Sequence, residues 1–146
     1  MLFRIADAIR GKLQRNLGCR GEDLAHRYLR KRKYVIVARN YRPSSGAPGE
    51  IDLIARAGTK LIFVEVKMRS SNTISFPERA VDHEKQRHII RAARDYARRA
   101  EVAWDDVRFD VIAITGEKNP VIEHFQDAFS GNAAFGANAA FGGPVG

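Results

Sequence analysis

Two short runs of alternating residues, Glu50 to Ala57 and Lys60 to Met68, flank Gly58-Thr59 and most constrain how this chain can fold. Taken with period two, both runs sort into one apolar face and a second face that is apolar near the turn and polar at the open end, as in neighbouring β-strands joined by a tight turn. A two-residue loop at Gly58-Thr59 pairs each position i with position 117 − i. Asp52 then lies opposite Glu65, with Cβ atoms about 5 Å apart. A loop at Ala57-Gly58 keeps the same faces, whereas a three-residue loop puts the two carboxylates on opposite faces. In the two-residue register Ile51, Leu53 and Ala55 share a face with Ile62, Val64 and Val66. Asp52 and Ile54 share the other face with Phe63, Glu65 and Lys67.

The elements around the hairpin follow from the same reasoning. A helix is expected from about Gly21 to Arg32, with Leu24, Ala25, Tyr28 and Leu29 on its apolar face and Glu22 in its first turn. A carboxylate there suits the helix dipole on its own account. Tyr34 to Asn40 reads as a strand, followed by a loop rich in Pro, Ser and Gly that ends at Gly49. Pro77 opens a long helix to about Ala100, with the stripe Val81, Lys85, Ile89, Ala92, Ala93, Tyr96 and Ala97. Lys85 interrupts that stripe, so it either snorkels to an edge or faces a polar site. Val107 to Thr115 is a strand, and Val121 to Phe125 its hairpin partner across Gly116-Glu117-Lys118-Asn119. The expectation is an α/β domain over residues 18–129, with a mixed central sheet flanked by helices in the order αβββαβ plus a C-terminal strand.

Both ends read differently. Residues 1–17 form an expected amphipathic helix, with Leu2, Ile5, Ile9 and Leu13 on one face and basic residues around it. Arg4, Asp7, Arg10 and Lys12 interrupt it, so it has no signal-peptide core. Residues 130–146 repeat Asn-Ala-Ala-Phe-Gly at 132 and 138 without a charged side chain, a composition expected to stay disordered.

Charge narrows the function. Over 146 residues the net charge is +8, with 18 Arg to 7 Lys, and the pI is near 10.1. Arginine presents a planar fork that matches phosphate oxygens, so the balance points to a nucleic-acid partner. Cys19 is the only cysteine, which rules out an intramolecular disulfide or a cysteine-rich zinc site and fits a cytoplasmic protein. No apolar run reaches the ~20 residues of a membrane span. His26, His83, His88 and His124 show no metal-ligand spacing and read as surface histidines. No Walker-type phosphate loop and no recognisable Ser or Cys nucleophile is present.

Within this frame Asp52, Glu65 and Lys67 carry the chemistry. Hydrolysis of a phosphodiester requires charge neutralisation, an activated water and a stabilised leaving oxygen. A hard divalent cation such as Mg²⁺ or Mn²⁺, held by Asp52, Glu65 and the backbone carbonyl of Val66, supplies the first and assists the others. Lys67, on the face of Glu65, orients the water or stabilises developing charge. The competing reading is a cross-strand salt-bridge cluster on an exposed sheet. Asp110, inside the last long strand, reads as a structural partner of a lysine or arginine, with a fourth acid near the site as the alternative.

The motifs extend beyond these residues. The order helix, three-strand meander, helix, strand, with Asp on the second strand and Glu-x-Lys on the third, resembles the PD-(D/E)XK (restriction-endonuclease-like) nuclease superfamily. More closely, Gly21-Glu22, Arg39-Asn40-Tyr41-Arg42, Gly49-Glu50-Ile51-Asp52-Leu53-Ile54, Phe63-Val64-Glu65-Val66-Lys67-Met68-Arg69, Lys85 and Arg108-Phe109-Asp110 resemble the bacterial YraN-like family of uncharacterised proteins. The resemblance covers residues 18 to 126. It implies a restriction-endonuclease-like core akin to Holliday-junction resolvases, with Asp52 and Glu65 as metal ligands and Lys67 as catalytic lysine. It adds Glu22 and Lys85 as further site residues and implies action on DNA, including branched DNA, by a homodimer. The superfamily's proline before the aspartate is Ile51 here, which removes no ligand. The alternative expectation is a nucleic-acid-binding protein that keeps this fold with little or no catalysis.

Overall fold

The computed structural model describes residues 20–69 and 82–132. The expected helix at 1–17, the residues from Pro77 to Val81, and tail residues 133–146 lie outside them. Residues 20–31 are helical (α1). They lead through a tight cap into β1 (Val35–Tyr41), β2 (Ile51–Ala57) and β3 (Lys60–Arg69). Helix α2 (His83–Arg99) follows, then a 3₁₀ turn at Trp104–Asp106 that the sequence pattern did not announce, β4 (Val107–Thr115) and β5 (Val121–Phe129).

The strands form one sheet in the order β1-β2-β3-β4-β5. The first three make an antiparallel meander, β3 and β4 run parallel, and β5 returns antiparallel. A parallel pair needs a crossover connection, and α2 lies in the chain between β3 and β4. One apolar cluster joins Ile54, Leu61, Phe63, Phe109 and Val111 of the sheet to Ile89, Ile90, Ala92, Ala93 and Ala97 of α2. Another joins Leu53, Ile62, Val64, Ile112 and Ile114 to Ala25 and Leu29 of α1. The sheet is thus covered on both faces, and its central strands β3 and β4 read as nearly continuous apolar runs for that reason. The expected α/β class, with a mixed sheet between helices, holds.

The hairpin register is the one parity predicts. Leu53 pairs with Val64, Ile54 with Phe63 and Ala57 with Lys60, each summing to 117, around Gly58 at φ +59°. One face assignment is corrected: Ile51 packs with the α2 cluster and not with Leu53. Opposite this part of β2, Asn40 of β1 has φ +50°, which breaks the regular pleat where Tyr41 pairs with Ile51. Tyr41 joins the same α2-side cluster.

Helix boundaries follow from local capping. Asp82 is extended and its carboxylate accepts the N–H of Lys85 at 2.8 Å, so α2 starts at His83; the expected start at Pro77 lies outside the described residues. Glu84 lies in the first turn, and Arg98 and Arg99 lie in the last, as the helix dipole favours. Both helices end in a left-handed residue, Lys33 at φ +70° and Glu101 at φ +56°. After each, the next N–H reaches back five residues, Tyr34 to Leu29 and Val102 to Ala97.

Two further expectations shift. β5 runs four residues beyond Phe125, past a register change between Phe109 and Val111 on β4. Asp110 explains why. It is fully buried and accepts hydrogen bonds from Arg108 Nε and Nη2 (2.8 Å each) and from the Asp127 N–H (3.0 Å). His124 Nε2 lies 2.7 Å from its other oxygen. Burial alone would raise the Asp110 pKa, but the bonds from His124, Arg108 and the Asp127 N–H bring it below the usual value. Asp110 is thus structural, as expected, and it holds the distorted part of β5. His124 is correspondingly not a surface histidine: its side chain is 4% exposed and packs edge-on against Tyr28 and Tyr34.

Candidate functional site

The open end of the β2–β3 hairpin places the expected residues together. Asp52 and Glu65 follow the last recorded pair, Leu53 and Val64, on the face that α2 covers. One oxygen of Asp52 accepts the N–H of Val66 at 2.8 Å. The carboxylate thereby takes a role that a cross-strand carbonyl would fill in a regular ladder, which fixes the Asp52 side chain on the strand that carries Glu65.

Glu65 is buried, 5% exposed, on the apolar side of the sheet, where a lone carboxylate would be costly. Its Oε1 is ion-paired with Lys85 Nζ and lies 3.9 Å from Lys67 Nζ. Lys67 leaves β3 two residues after Glu65 and so shares its face, while Lys85 comes from the first turn of α2. This answers the question that Lys85 posed as a break in an apolar stripe: it faces a polar site.

The electrostatics are those of charges forced together. Burial, then the negative charge of Glu65, push the Asp52 carboxyl up to about 8, against a lowering contribution from the Val66 N–H. Burial, then the neighbouring Lys85, lower the Lys67 pKa. Burial would also lower that of Lys85, but hydrogen bonding and attraction to Glu65 outweigh it and the net shift is upward. In the absence of a cation the Asp52–Glu65 pair retains a proton near neutral pH, and Lys85 neutralises the remaining charge.

Glu22 stands apart. Its charge contributes to raising Asp52, so it is near, but its recorded ion pair is with Arg39 at 3.6 Å, and Arg39 also holds Asp23 at 2.9 Å. The structure brings Asp52, Glu65, Lys67 and Lys85 into one cluster and leaves Glu22 at its periphery.

A cavity of ≈330 Å³ opens onto this cluster, lined by Gly49, Glu50, Asp52, Glu65, Lys85, His88 and Ile89. Glu50 and His88 are lining residues that sequence reasoning missed. The signal for His88 was its place three residues after Lys85, on the same side of α2. Glu50 is drawn aside by Arg42, whose Nη2 donates to it at 2.9 Å. Gly49 makes the junction possible: its φ is +133°, and a Cβ there would meet the backbone oxygen of His88 at 2.7 Å. Only glycine lets the loop approach α2 this closely.

The donor set suits a hard cation. Two carboxylates and backbone oxygen, with no thiolate, match Mg²⁺ or Mn²⁺, ions that keep several waters when bound by one or two carboxylates. Burial and the neighbouring Glu65 charge both disfavour an ionised Asp52, and a bound cation would offset both. No group of three His, Cys, Asp or Glu side chains placed to hold a metal is found among the described residues, so the protein side chains would supply two ligands.

Comparison with known proteins places the whole site inside a family match. The model of an uncharacterised protein family, UPF0102, matches residues 21–114. A UPF0102 protein of Solibacter usitatus is 50% identical over 130 residues, 88% of this chain and 98% of the relative. One from Geobacter sulfurreducens is 45% identical over 115 residues, covering 77% of this chain and 88% of its own length. One from Chlorobium limicola is 44% identical over 121 residues, 78% and 92% of the two chains.

Proposed function

The chain belongs to the UPF0102 family of uncharacterised bacterial proteins, and from that starting point we propose that it is a metal-dependent endonuclease that hydrolyses phosphodiester bonds in DNA, branched DNA included. The single observation that carries the reading is the Asp52–Glu65 pair: two carboxylates held together in a partly desolvated corner, with Asp52 raised to about 8 and two lysines aimed at Glu65. A salt-bridge cluster on an exposed sheet face would not bury Glu65 to 5% exposure or place a cavity beside it.

Asp52 and Glu65 would hold Mg²⁺ or Mn²⁺, and the bound ion would supply Lewis-acid stabilisation and a more acidic water. The remaining work falls to the chain. Lys67, with its pKa lowered, is placed to orient or deprotonate a water beside Glu65. Lys85, charged and reaching in from α2, is placed to stabilise negative charge on the phosphate as the bond breaks. The Val66 N–H keeps the Asp52 carboxylate oriented. The Gly49 approach to α2 closes one wall of the cavity.

The second reading, a nucleic-acid-binding protein with little catalysis, is favoured by one observation: Lys85 already neutralises Glu65. Mn²⁺ titration followed by electron paramagnetic resonance separates the two. The endonuclease reading expects saturable Mn²⁺ binding that Asp52→Ala and Glu65→Ala each abolish. Absence of binding by the wild-type protein, or equal binding by the variants, supports the second reading.

A further inference from the structure

The outward face of α2 carries a run of arginines that the site does not use. Arg87, Arg91, Arg94 and Arg98 follow at intervals of four, three and four, so they rise along one side of the helix, and all four are exposed. At 1.5 Å per residue the run extends about 16 Å. Arg91 stands one turn from His88, a residue that lines the cavity, so the ridge passes beside that side of the helix. Two of the four guanidiniums are already positioned. Arg94 lies over the Trp104 ring at 4.5 Å from its centroid, and Arg98 is 3.4 Å from Asp95. Asp95 is itself held by the Tyr41 hydroxyl at 2.5 Å. Arg87 and Arg91 have no recorded ion pair among the described residues.

An exposed basic helix face is ordinarily only solvated. Here the run is purely arginine, adjoins at Arg91 the side of α2 that carries His88, and is partly pre-ordered. We infer that the Arg87–Arg91–Arg94–Arg98 ridge is the surface along which the sugar-phosphate backbone of a nucleic acid lies as it enters the Asp52–Glu65 cavity. Duplex DNA presents a phosphate about every 3.4 Å of axis per strand, so a ridge of about 16 Å spans roughly five steps. The arginine fork fits phosphate oxygens and reads no base, so the ridge positions the substrate without selecting a sequence. The inference rests on the reading that nucleic acid is the partner. It adds which face of the protein carries the strand.

The test is the salt dependence of binding by the full chain to a short labelled DNA duplex, in EDTA so that no cleavage occurs. The Arg87→Ala/Arg91→Ala double variant is compared with Arg27→Ala/Arg30→Ala, which removes the same charge from exposed positions of α1, across the sheet. Alanine preserves both helices. Loss of two phosphate contacts reduces the slope of log K against log salt by about 1.8, and the α1 variant keeps the wild-type slope. Equal slope changes in the two variants, or none in either, overturn the inference. So does a wild-type protein that binds anionic phosphatidylserine vesicles and not DNA. A companion Mn²⁺ cleavage assay separates the two claims. If the slope result holds and the wild type does not cleave, the nuclease reading falls and the ridge stands. If the wild type cleaves and the ridge variant keeps its slope, the ridge falls alone.

Discussion

At the scale of single residues, Asp52 is where stability and chemistry oppose one another. Its carboxyl is raised to about 8 in the folded protein against an ordinary value of 3.8, so the native state binds more protons than the unfolded chain between those values. Apo stability therefore falls as pH rises through this window and levels off above it. Asp52→Asn, which stays neutral, removes that loss. Its melting temperature should exceed that of the wild type at pH 9, and the gap should close near pH 4. Mn²⁺ should act in the opposite sense: at about a hundred times Kd it adds ~2.7 kcal/mol to the wild type and nothing to the variant. Calorimetric scans with and without Mn²⁺ at the two pH values read both effects. Asp110 is the contrasting carboxylate, held by three partners through four contacts. Asp110→Ala strands Arg108 and His124 inside the sheet and should cost about 3–5 kcal/mol in a denaturant titration, with no change in Mn²⁺ affinity. Asp52 and Glu65 were legible because a strand repeats every two residues, so a turn length decides their faces. Glu50 was not, because its approach depends on how the loop ending at Gly49 meets α2, and no periodicity encodes that; His88 was signalled only by its place one turn after Lys85.

At the scale of elements, α2 does three jobs with three faces. One buries Ile89, Ile90 and Ala93 against the sheet, one turns Lys85 and His88 to the cavity, and one presents arginine to solvent. The apolar stripe revealed the first, and the misplaced lysine hinted at the second. The bond from the Lys85 N–H to Asp82 sets where the turns of α2 begin, a side-chain cap that the apolar stripe does not encode. Strand β5 was read too short for a comparable reason: a buried acid on β4 supports its irregular stretch through the Asp127 N–H, a long-range contact. The caps yield an element-scale prediction. Lys33 and Glu101 occupy left-handed conformations that suit glycine. Lys33→Gly and Glu101→Gly should each stabilise by about 0.5–1 kcal/mol in a denaturant titration, without altering metal binding. Gly49→Ala acts in the opposite direction, because its Cβ meets the backbone of α2 and its φ is strained. It should destabilise by about 1–3 kcal/mol and weaken Mn²⁺ binding in the same preparation.

At the scale of the whole molecule, a sheet covered on both faces supports two unlike polar centres. The α1 side holds Asp110, Arg108 and His124 in a closed network, and the α2 side holds Asp52, Glu65, Lys67 and Lys85 around an opening. Each has an acid near the middle of the sheet, but only the second leaves like charges facing each other and room beside them. No helix among the described residues is long and apolar enough to cross a membrane. Eight of the 18 arginines lie on the two helices that flank the sheet, a basic surface that the proposed polyanion partner would use. The central claim is that the Asp52–Glu65 pair cuts phosphodiesters. The most direct measurement is a cleavage panel of duplex, single-stranded and four-way-junction DNA with purified full-length protein, with and without Mn²⁺, beside Asp52→Ala. The account predicts Mn²⁺-dependent cleavage of at least one DNA by the wild type and none by the variant, which still binds that DNA. Cleavage that persists in Asp52→Ala, or a wild-type protein that binds Mn²⁺ and DNA and cuts none of the panel, would contradict it.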